Sequence, residues 1–174
     1  MTSPVVLSTQ RLDMRPPEDA DLGAYRAFYA VSDVKVGGYR GGRSDDEVRA
    51  IHKRDMDHWA AKGFGMFMLR PIADDGVVVG GAGISHPDDW PSHELTWWLT
   101  PDARGAGYAT EASRAVIAWA YDALGWPVVE THMRDENEPA RRLATRLGGV
   151  VDRRETFPDG VARDVFALPR EAAT

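Results

Sequence analysis

A glycine-rich segment near the middle of the chain combines residue types that bind phosphate groups. Between a strand-like run and an amphipathic helix pattern lie Arg104, Gly105, Ala106, Gly107, Tyr108 and Ala109. Small residues let backbone N–H groups face open space, and the first N–H groups of a helix have no carbonyl partner within it. The positive end of the helix dipole lies behind them. The segment therefore predicts a binding site for a ligand that carries phosphate.

Two common phosphate-binding motifs do not fit this segment. A Walker A loop ends in Gly-Lys-Ser/Thr, and no such ending occurs in the chain. A dinucleotide-binding fingerprint needs three glycines, but Thr110 stands in the place of the third. The segment also follows strands that look antiparallel, rather than an opening βαβ unit. We therefore reject both motifs.

Hydrophobic periodicity and turn residues predict the elements that position this segment. Helices are predicted at 18–31, from Ser44 to Gly63, after the glycine segment, and from Asn137 to Gly148. Strands are predicted at 5–15, 66–69, 77–85, 94–100, 128–133, 150–157 and 161–168. This order predicts one α/β domain over 1–174, of mixed α+β character, with a mixed sheet and helices on both faces.

Length and composition restrict the classes of protein that fit. The 174 residues suit a single domain, and a net charge of -6 disfavours nucleic-acid binding through the overall field. With no cysteine there is no disulfide framework, thiolate nucleophile or cysteine-zinc site. The N-terminus lacks the features of a signal peptide, and the apolar stretch 76–85 is too short to span a bilayer. We therefore expect a cytoplasmic protein without nucleic-acid or membrane partners.

The glycine segment and its flanks resemble a known acyltransferase family. Arg104, Gly107 and Ala109 match the (Gln/Arg)-x-x-Gly-x-(Gly/Ala) signature of the GCN5-related N-acetyltransferase (GNAT) superfamily. Four segments also resemble, in order, motifs of its branch of ribosomal-protein-alanine N-acetyltransferases: 9–20, 93–101, 105–112 and 137–148. The resemblance implies the GNAT fold, a mostly antiparallel mixed sheet with a central parallel V-shaped split. Acetyl-CoA occupies that split, which would lie here between 94–100 and 128–133.

The resemblance also implies contacts for the acetyl-CoA donor. The backbone amides of 104–109 would hold the pyrophosphate, where Gly107 and Ala109 must be small. Backbone groups of Trp98, Leu99 and Thr100 would pair with the pantetheine amides like an added strand.

Three further residues have two interpretations each. The side-chain amide of Asn137 would reach pantetheine, or would cap the following helix, or both. Arg142 or its neighbour Arg141 would meet the adenosine 3′-phosphate, or would belong to a solvated helix face.

The implied reaction needs a base. An amine with a pKa of about 10.4 is neutral in fewer than roughly one molecule in a thousand at pH 7. A base must therefore take its proton before the amine attacks the thioester carbonyl. Glu94 is the candidate base, because glutamates at this place act so in several relatives; a charged strand end is the other interpretation. A backbone N–H at Leu99 or Trp98 would polarise the thioester oxygen, and no metal ion is expected.

One departure from the family leaves the general acid unassigned. Many members carry a tyrosine seven residues after the asparagine, where this chain has Ala144. The serine frequent in the branch is replaced by Ala140, and the spacing of Tyr108 and Tyr121 matches no family role. A thiol with a pKa near 8.5 does not strictly need an acid to leave. Because the tyrosine is missing, a second class of protein also fits the sequence, namely a non-catalytic sensor that binds acyl-CoA.

The acceptor amine is left open by the sequence. The branch suggests a protein N-terminal amine, and the alternatives are a small metabolite amine, such as a polyamine, or an antibiotic amine, such as an aminoglycoside. Tyr39 and Arg40 lie in a glycine-rich loop where relatives often shape acceptor access. Trp90 and Trp97 would line an acceptor pocket or simply pack in the core. Edge strands in the C-terminal hairpin make a homodimer plausible.

Overall fold

Two antiparallel sheets form the framework of the protein. The computed structural model describes residues 4–31, 40–74 and 76–171. In the first sheet five strands lie side by side in chain order: β1 (Leu7–Ser8), β2 (Leu12–Arg15), β3 (Met66–Pro71), β4 (Gly80–Ser85) and β5 (Glu94–Leu99). In the second sheet the order is β6 (Val129–His132), β8 (Ala162–Leu168) and β7 (Val150–Thr156). The mixed α/β class predicted from the sequence is confirmed.

Four α-helices connect and cover the sheets: α1 (Leu22–Tyr29), α2 (Asp45–Lys62), α3 (Tyr108–Asp122) and α4 (Glu138–Arg146). The predicted start of α2 is confirmed, because the Ser44 hydroxyl accepts the Glu47 N–H at 3.2 Å while the Glu47 carboxylate accepts the Ser44 N–H. Gly63, in the left-handed conformation, ends that helix. None of the helices in the described residues is long and apolar enough to cross a membrane.

The first predicted strand, 5–15, is wrong in one respect, because it is two strands joined by a turn. Leu7 pairs with Met14 and Ser8 with Asp13 in an antiparallel register. The turn is closed by the Thr9 N–H donating to the Leu12 carbonyl at 2.9 Å and by the Leu12 N–H donating to Thr9 Oγ1 at 3.0 Å. A threonine hydroxyl that satisfies a backbone donor stabilises such a turn without a glycine or proline signal.

The strands β5 and β6 are neighbours that belong to different sheets. The Glu130 N–H donates to His93 Nε2 at 3.1 Å, and Thr131 Oγ1 donates to the Leu95 carbonyl at 2.7 Å. These contacts advance in the same direction along both strands, so the strands run parallel. Beyond Leu95 no ladder joins them, and they diverge towards their C-terminal ends. The predicted V-shaped split is therefore present between them.

Two apolar clusters fix the sheets and helices in place. The larger joins α3 and α4 to both sheets and includes Phe67, Ile84, Leu95, Val116, Leu143 and Phe166. The smaller joins α1 and α2 to the opposite face of the first sheet, where the Trp98 ring lies 4.7 Å from Phe28 and 5.5 Å from Tyr25. The split thus lies between two firmly packed halves.

Glycine-to-alanine substitutions test how closely β4 packs. A Cβ at Gly83 would collide with the Gly65 carbonyl oxygen and lie 2.6 Å from the Met66 Cα. We expect Gly83→Ala to lower the free energy of unfolding by about 1–3 kcal/mol, as overpacked sites do. Urea denaturation measures this change.

The matched control for this substitution is Gly23→Ala in α1. No heavy atom lies within 4 Å of a Cβ at Gly23. Alanine there restricts the unfolded chain and should raise the free energy of unfolding by about 0.4–1 kcal/mol. Equal effects of the two substitutions would contradict the close approach of β3 and β4.

Candidate active site

The predicted phosphate-binding loop leads into the N-terminus of α3, and the Arg104 N–H at its start donates to the Pro101 carbonyl at 3.4 Å. Gly105 and Gly107 take positive φ angles of 83° and 84°, which side chains disfavour. Gly107 is the N-cap of α3, and no side chain caps this helix end. Glu111 donates its N–H to the Gly107 carbonyl at 3.1 Å, so the N–H groups of the preceding turn have no helical acceptor. The loop has the geometry of an anion site.

A partly exposed contact from the first hairpin holds the start of α3 in place. Thr9 Oγ1 donates to the Glu111 carboxylate at 2.5 Å, and Arg11 donates to it from Nε at 2.7 Å and from its backbone N–H at 2.9 Å. Burial tends to raise the pKa of Glu111, but these donors outweigh it and hold that pKa below its ordinary value. The carboxylate therefore fixes the loop against β1 and β2.

The same contact places a cation beside the loop. The Arg11 guanidinium carbon lies 4.5 Å above the Tyr108 ring, and Arg11 Nη2 lies 3.4 Å from the position of a Cβ on Gly107. An anion held by the loop would therefore meet this guanidinium. We did not predict a role for Arg11 from the sequence, because nothing local links residues about a hundred positions apart.

The edge of β5 that faces the split offers backbone groups at alternate residues. The Thr100 N–H donates to the Val79 carbonyl and its own carbonyl accepts the Ala103 N–H, both at 2.9 Å. Backbone groups alternate in direction along an antiparallel strand, so the N–H and C=O groups of Trp98, which lies opposite Gly81, also face β4. The backbone groups of Leu99 and Trp97 face the split, on the same edge of β5 as the Leu95 carbonyl. The expectation for Leu99 fits this geometry, whereas the backbone groups of Trp98 and Thr100 face β4. The backbone of Trp97 faces the split instead.

A cleft of about 600 Å³ occupies the split, with Glu94 in its wall. Protein atoms surround the Glu94 side chain, although 31% of it still meets solvent through the mouth of the cleft. Burial raises the pKa of Glu94 to about 8, against the opposing effect of the Arg163 charge. A carboxyl group with this pKa binds and releases a proton near neutral pH, as a general base must.

His132 lies opposite Glu94 across the split. Its Nδ1 lies 3.6 Å from Glu94 Oε2, and its ring stacks on Phe157 at 4.1 Å. Burial, aided by the Arg163 charge, lowers the pKa of His132 to about 4, so the imidazole is neutral. A neutral ring adds no positive charge that would lower the pKa of Glu94. The sequence did not indicate this pairing, because His132 lies on a different strand and matches no motif.

Asn137, Arg141 and Arg142, which have two interpretations each, all lie after β6. Asn137 lines the cleft, and its Oδ1 accepts the Ala140 N–H at 3.4 Å, so it caps α4 and faces the split. Arg142 is exposed and lies 3.8 Å from Glu138, while Arg141 bonds Asp164 at 3.0 Å. Nothing in these contacts favours one arginine for a 3′-phosphate.

The tyrosines named from the sequence have structural contacts. The Tyr121 hydroxyl donates to the Leu168 carbonyl at 2.5 Å and accepts the Val129 N–H, while Tyr108 lies beneath Arg11. Ala144 is fully buried, and the cleft lining within the described residues includes no tyrosine. Tyr39 and the rest of 32–39 lie outside the described residues, although Arg40 lines the cleft.

His58 and His93 bond to backbone groups. His58 Nδ1 contacts the Phe64 carbonyl at 2.7 Å, while His58 Nε2 accepts the His86 N–H. His93 accepts the Glu130 N–H. In residues 4–31, 40–74 and 76–171, no group of three histidines or carboxylates could hold a metal ion.

The fold combines a split between two sheets, an uncapped helix N-terminus and a carboxyl group of raised pKa. Residues 11–150 match the family model described as acetyltransferase (GNAT) domain. The chain belongs to the GNAT acetyltransferase family.

Solved structures of acetyltransferases share this fold over nearly the whole chain. An acetyltransferase from Agrobacterium tumefaciens is 30% identical, covering 97% of this chain and 96% of its own with a TM-score of 0.85. A GNAT-family acetyltransferase from Bacillus anthracis is 18% identical, with coverages of 95% and 99% and a TM-score of 0.77. RimJ from Mycobacterium smegmatis, in complex with CoA-disulfide, is 17% identical, with coverages of 96% and 90% and a TM-score of 0.69.

Substitution of Gly107 by glutamate tests the loop as a coenzyme A site. The new carboxylate would stand among the unpaired amides and repel the pyrophosphate. We expect Gly107→Glu to weaken coenzyme A binding about 100-fold or more, measured by titration calorimetry.

Gly125→Glu is the matched control, at the other end of α3 and roughly 22 Å away. Gly125 also has a positive φ, 67°, and open space around its Cβ, so glutamate there carries the same backbone strain. It should leave coenzyme A affinity unchanged. Equal affinity in both variants would show that the loop is not the site.

Proposed function

We propose that the protein transfers the acetyl group of acetyl-CoA to a primary amine, by direct attack within a ternary complex. The observation that carries this proposal is the position of Glu94, in a cleft whose wall also offers the free edge of β5. Family membership supports the acetyl donor. The cytoplasmic location and the homodimer stay predictions from the sequence.

The donor would lie along the split, from the loop to the vertex. Amides of 105–109 and the Arg11 guanidinium would hold the pyrophosphate. The backbone groups of Trp97 and Leu99 would pair with pantetheine, and the Asn137 side chain would contact it from α4. The coenzyme A derivative bound by the RimJ structure supports this class of ligand for the same fold.

The chemical step would use Glu94 as the base. Its carboxylate accepts a proton from the ammonium group, directly or through water, and the freed nitrogen attacks the thioester carbonyl. A C–N bond forms and the C–S bond breaks, so the sulfur leaves as a thiolate. The nitrogen, which still carries one proton more than the amide does, releases it to solvent, and the thiolate takes a proton from solvent. The Leu99 N–H, on the free edge of β5, would stabilise the oxyanion. A pKa of about 8 brings Glu94 closer to the pKa of the amine than an ordinary carboxyl group.

The pH dependence of the reaction tests this role. Only the deprotonated form of Glu94 can act as a base, so kcat/KM expressed per ammonium form of the amine should rise with pH and level off above about 8. Glu94→Gln should lower kcat by about 100-fold or more and abolish this rise. Thiol release, followed with a colour reagent from pH 6 to about 10, measures both effects.

Stability measurements show whether the Glu94→Gln variant is folded. The pKa of Glu94 is raised in the folded state, from an ordinary 4.5 to about 8, so the folded protein binds this proton more tightly than the unfolded chain. The native carboxyl group therefore destabilises the fold increasingly as pH rises from 4.5 to about 8. Glu94→Gln should melt higher than wild type at pH 8 and equally at pH 4. A lower melting temperature at pH 8 would contradict the buried position of Glu94.

A sensor that binds acyl-CoA without catalysis is the second candidate. The absence of a tyrosine from the cleft lining of the described residues favours it. Thiol release with a panel of amines separates the two functions. Tight coenzyme A binding without acceptor-dependent release would support the sensor and contradict the transferase.

A further inference from the structure

The side chains that line the cleft are positively charged on balance, although the protein as a whole is negatively charged. The whole chain carries a net charge of -6. Four guanidinium groups nevertheless line the cleft, from Arg40, Arg54, Arg134 and Arg163, against two carboxyl groups, Glu94 and Asp159. A concentration of positive charge in a concave, partly desolvated site attracts anionic ligands more strongly than the same charges on an open surface.

Pairing within the cleft leaves this excess in place. Asp159 accepts Arg163 Nη1 at 3.0 Å and Nη2 at 2.6 Å, and Arg134 Nη2 also lies 3.8 Å from it. One carboxylate is therefore shared by two guanidinium groups. Arg54 is paired with Asp55, which accepts from its Nε at 3.2 Å and from its Nη2 at 3.1 Å, so this pair adds no net charge. Arg134 Nη1 also lies 3.9 Å from Glu136, outside the cleft lining. The positive excess is therefore that of Arg40, Arg134 and Arg163 over Asp159. Glu94, with its pKa of about 8, is mostly uncharged at neutral pH and neutralises none of them.

The donor does not account for this charge. The phosphate-binding loop follows the C-terminal end of β5, whereas Trp90 precedes its N-terminal end. The Arg163 guanidinium lies 5.6 Å above the Trp90 ring. A six-residue strand, about 20 Å long, separates these ends. Arg163, and Arg134 through their shared partner Asp159, therefore lie at the acceptor end of the split.

Polar atoms without partners point to the same conclusion. Among the described residues, Ser92 Oγ, His132 Nδ1 and Arg134 Nε are buried without a hydrogen-bond partner, and all three residues line this cleft. Buried polar groups are normally satisfied, so a bound ligand is expected to supply the missing partners. Arginine and serine donors suit an oxyacid group.

We propose that the acceptor is a small primary amine that also carries an acidic group, a carboxylate or a phosphate, which the cleft arginines bind while the amine faces Glu94. This inference rests on the proposed function, because it assigns the acceptor of the same site. It separates the acceptors that the sequence left open. Polyamines and aminoglycosides bring only positive charge to the four guanidinium groups, and like charges brought together in a site weaken binding.

Matched pairs of amines test the proposal. The acidic members are glycine, β-alanine and phosphoethanolamine, and the neutral members are glycinamide, β-alaninamide and ethanolamine. Spermidine, an aminoglycoside and a neutral N-terminal peptide amide complete the panel. Thiol release from acetyl-CoA is measured for each, and kcat/KM is expressed per ammonium form of the amine. We expect kcat/KM to be about tenfold or more higher for at least one acidic member than for its neutral partner. Its carboxylate or phosphate then identifies the acid group.

Arginine variants link this preference to the cleft. Arg134→Gln should bring the ratio of acidic to neutral kcat/KM close to one, mainly through KM for the acidic amine. Arg170→Gln is the control, because Arg170 bonds Asp122 at 2.6 Å and does not line the cleft. It should keep the wild-type ratio. Thermal melting confirms that each variant is folded.

The outcomes separate this proposal from the proposed function. Turnover that is as fast with spermidine or the neutral amides overturns the acidic acceptor and leaves the transferase in place. If no amine releases thiol, the transferase is contradicted. Calorimetric titration of the protein–coenzyme A complex with the amines then tests the anionic subsite by itself. Binding of an acidic amine that Arg134→Gln weakens about tenfold would support the anionic subsite. Equal or absent binding of acidic and neutral amines would overturn it.

Discussion

The divergence of β5 and β6 is the constraint on which the rest of the site depends. One hydrogen bond, from Thr131 Oγ1 to the Leu95 carbonyl, joins the strands near the vertex. Beyond it the strands enter separate sheets, each held by its own apolar packing. The edge of β5 that faces the split is left with unpaired backbone groups, and unpaired strand edges readily add another extended chain. A continuous sheet would have no cleft and no place for a carboxyl group between its strands.

Electrostatics divide the split into regions of different character. At one end the amides before α3 and the Arg11 guanidinium favour phosphate, and Glu111 fixes both by accepting three hydrogen bonds from the first hairpin. At the other end Arg163, buried against Trp90 and Asp159, contributes to the positive wall. These local fields act against a negative surface, so they arise from placement and not from composition.

Burial gives Glu94 its chemistry. On an open strand a glutamate is fully ionised at neutral pH and is a weak base towards an ammonium group. Here protein atoms raise the pKa of Glu94, and His132, held neutral by its own burial, does not reverse the effect. The same burial destabilises the folded state at high pH. The carboxyl group is thus retained at a position that is unfavourable for stability, which is common for groups that transfer protons.

The sequence by itself determined the features that depend on neighbours within a few residues. The loop at Gly105 and Gly107, the caps at Ser44 and Asn137 and the order of strands follow from backbone freedom, capping and periodicity, which are local. Only the tertiary structure decided which edge of β5 is free, so that the backbone groups of Trp98 and Thr100 face β4 while those of Trp97 and Leu99 face the split. It also placed Arg11 at the loop, His132 beside Glu94 and four distant arginines around one cleft. These pairings join residues far apart in the chain, and they are set by the twist and packing of whole sheets, which no short segment encodes.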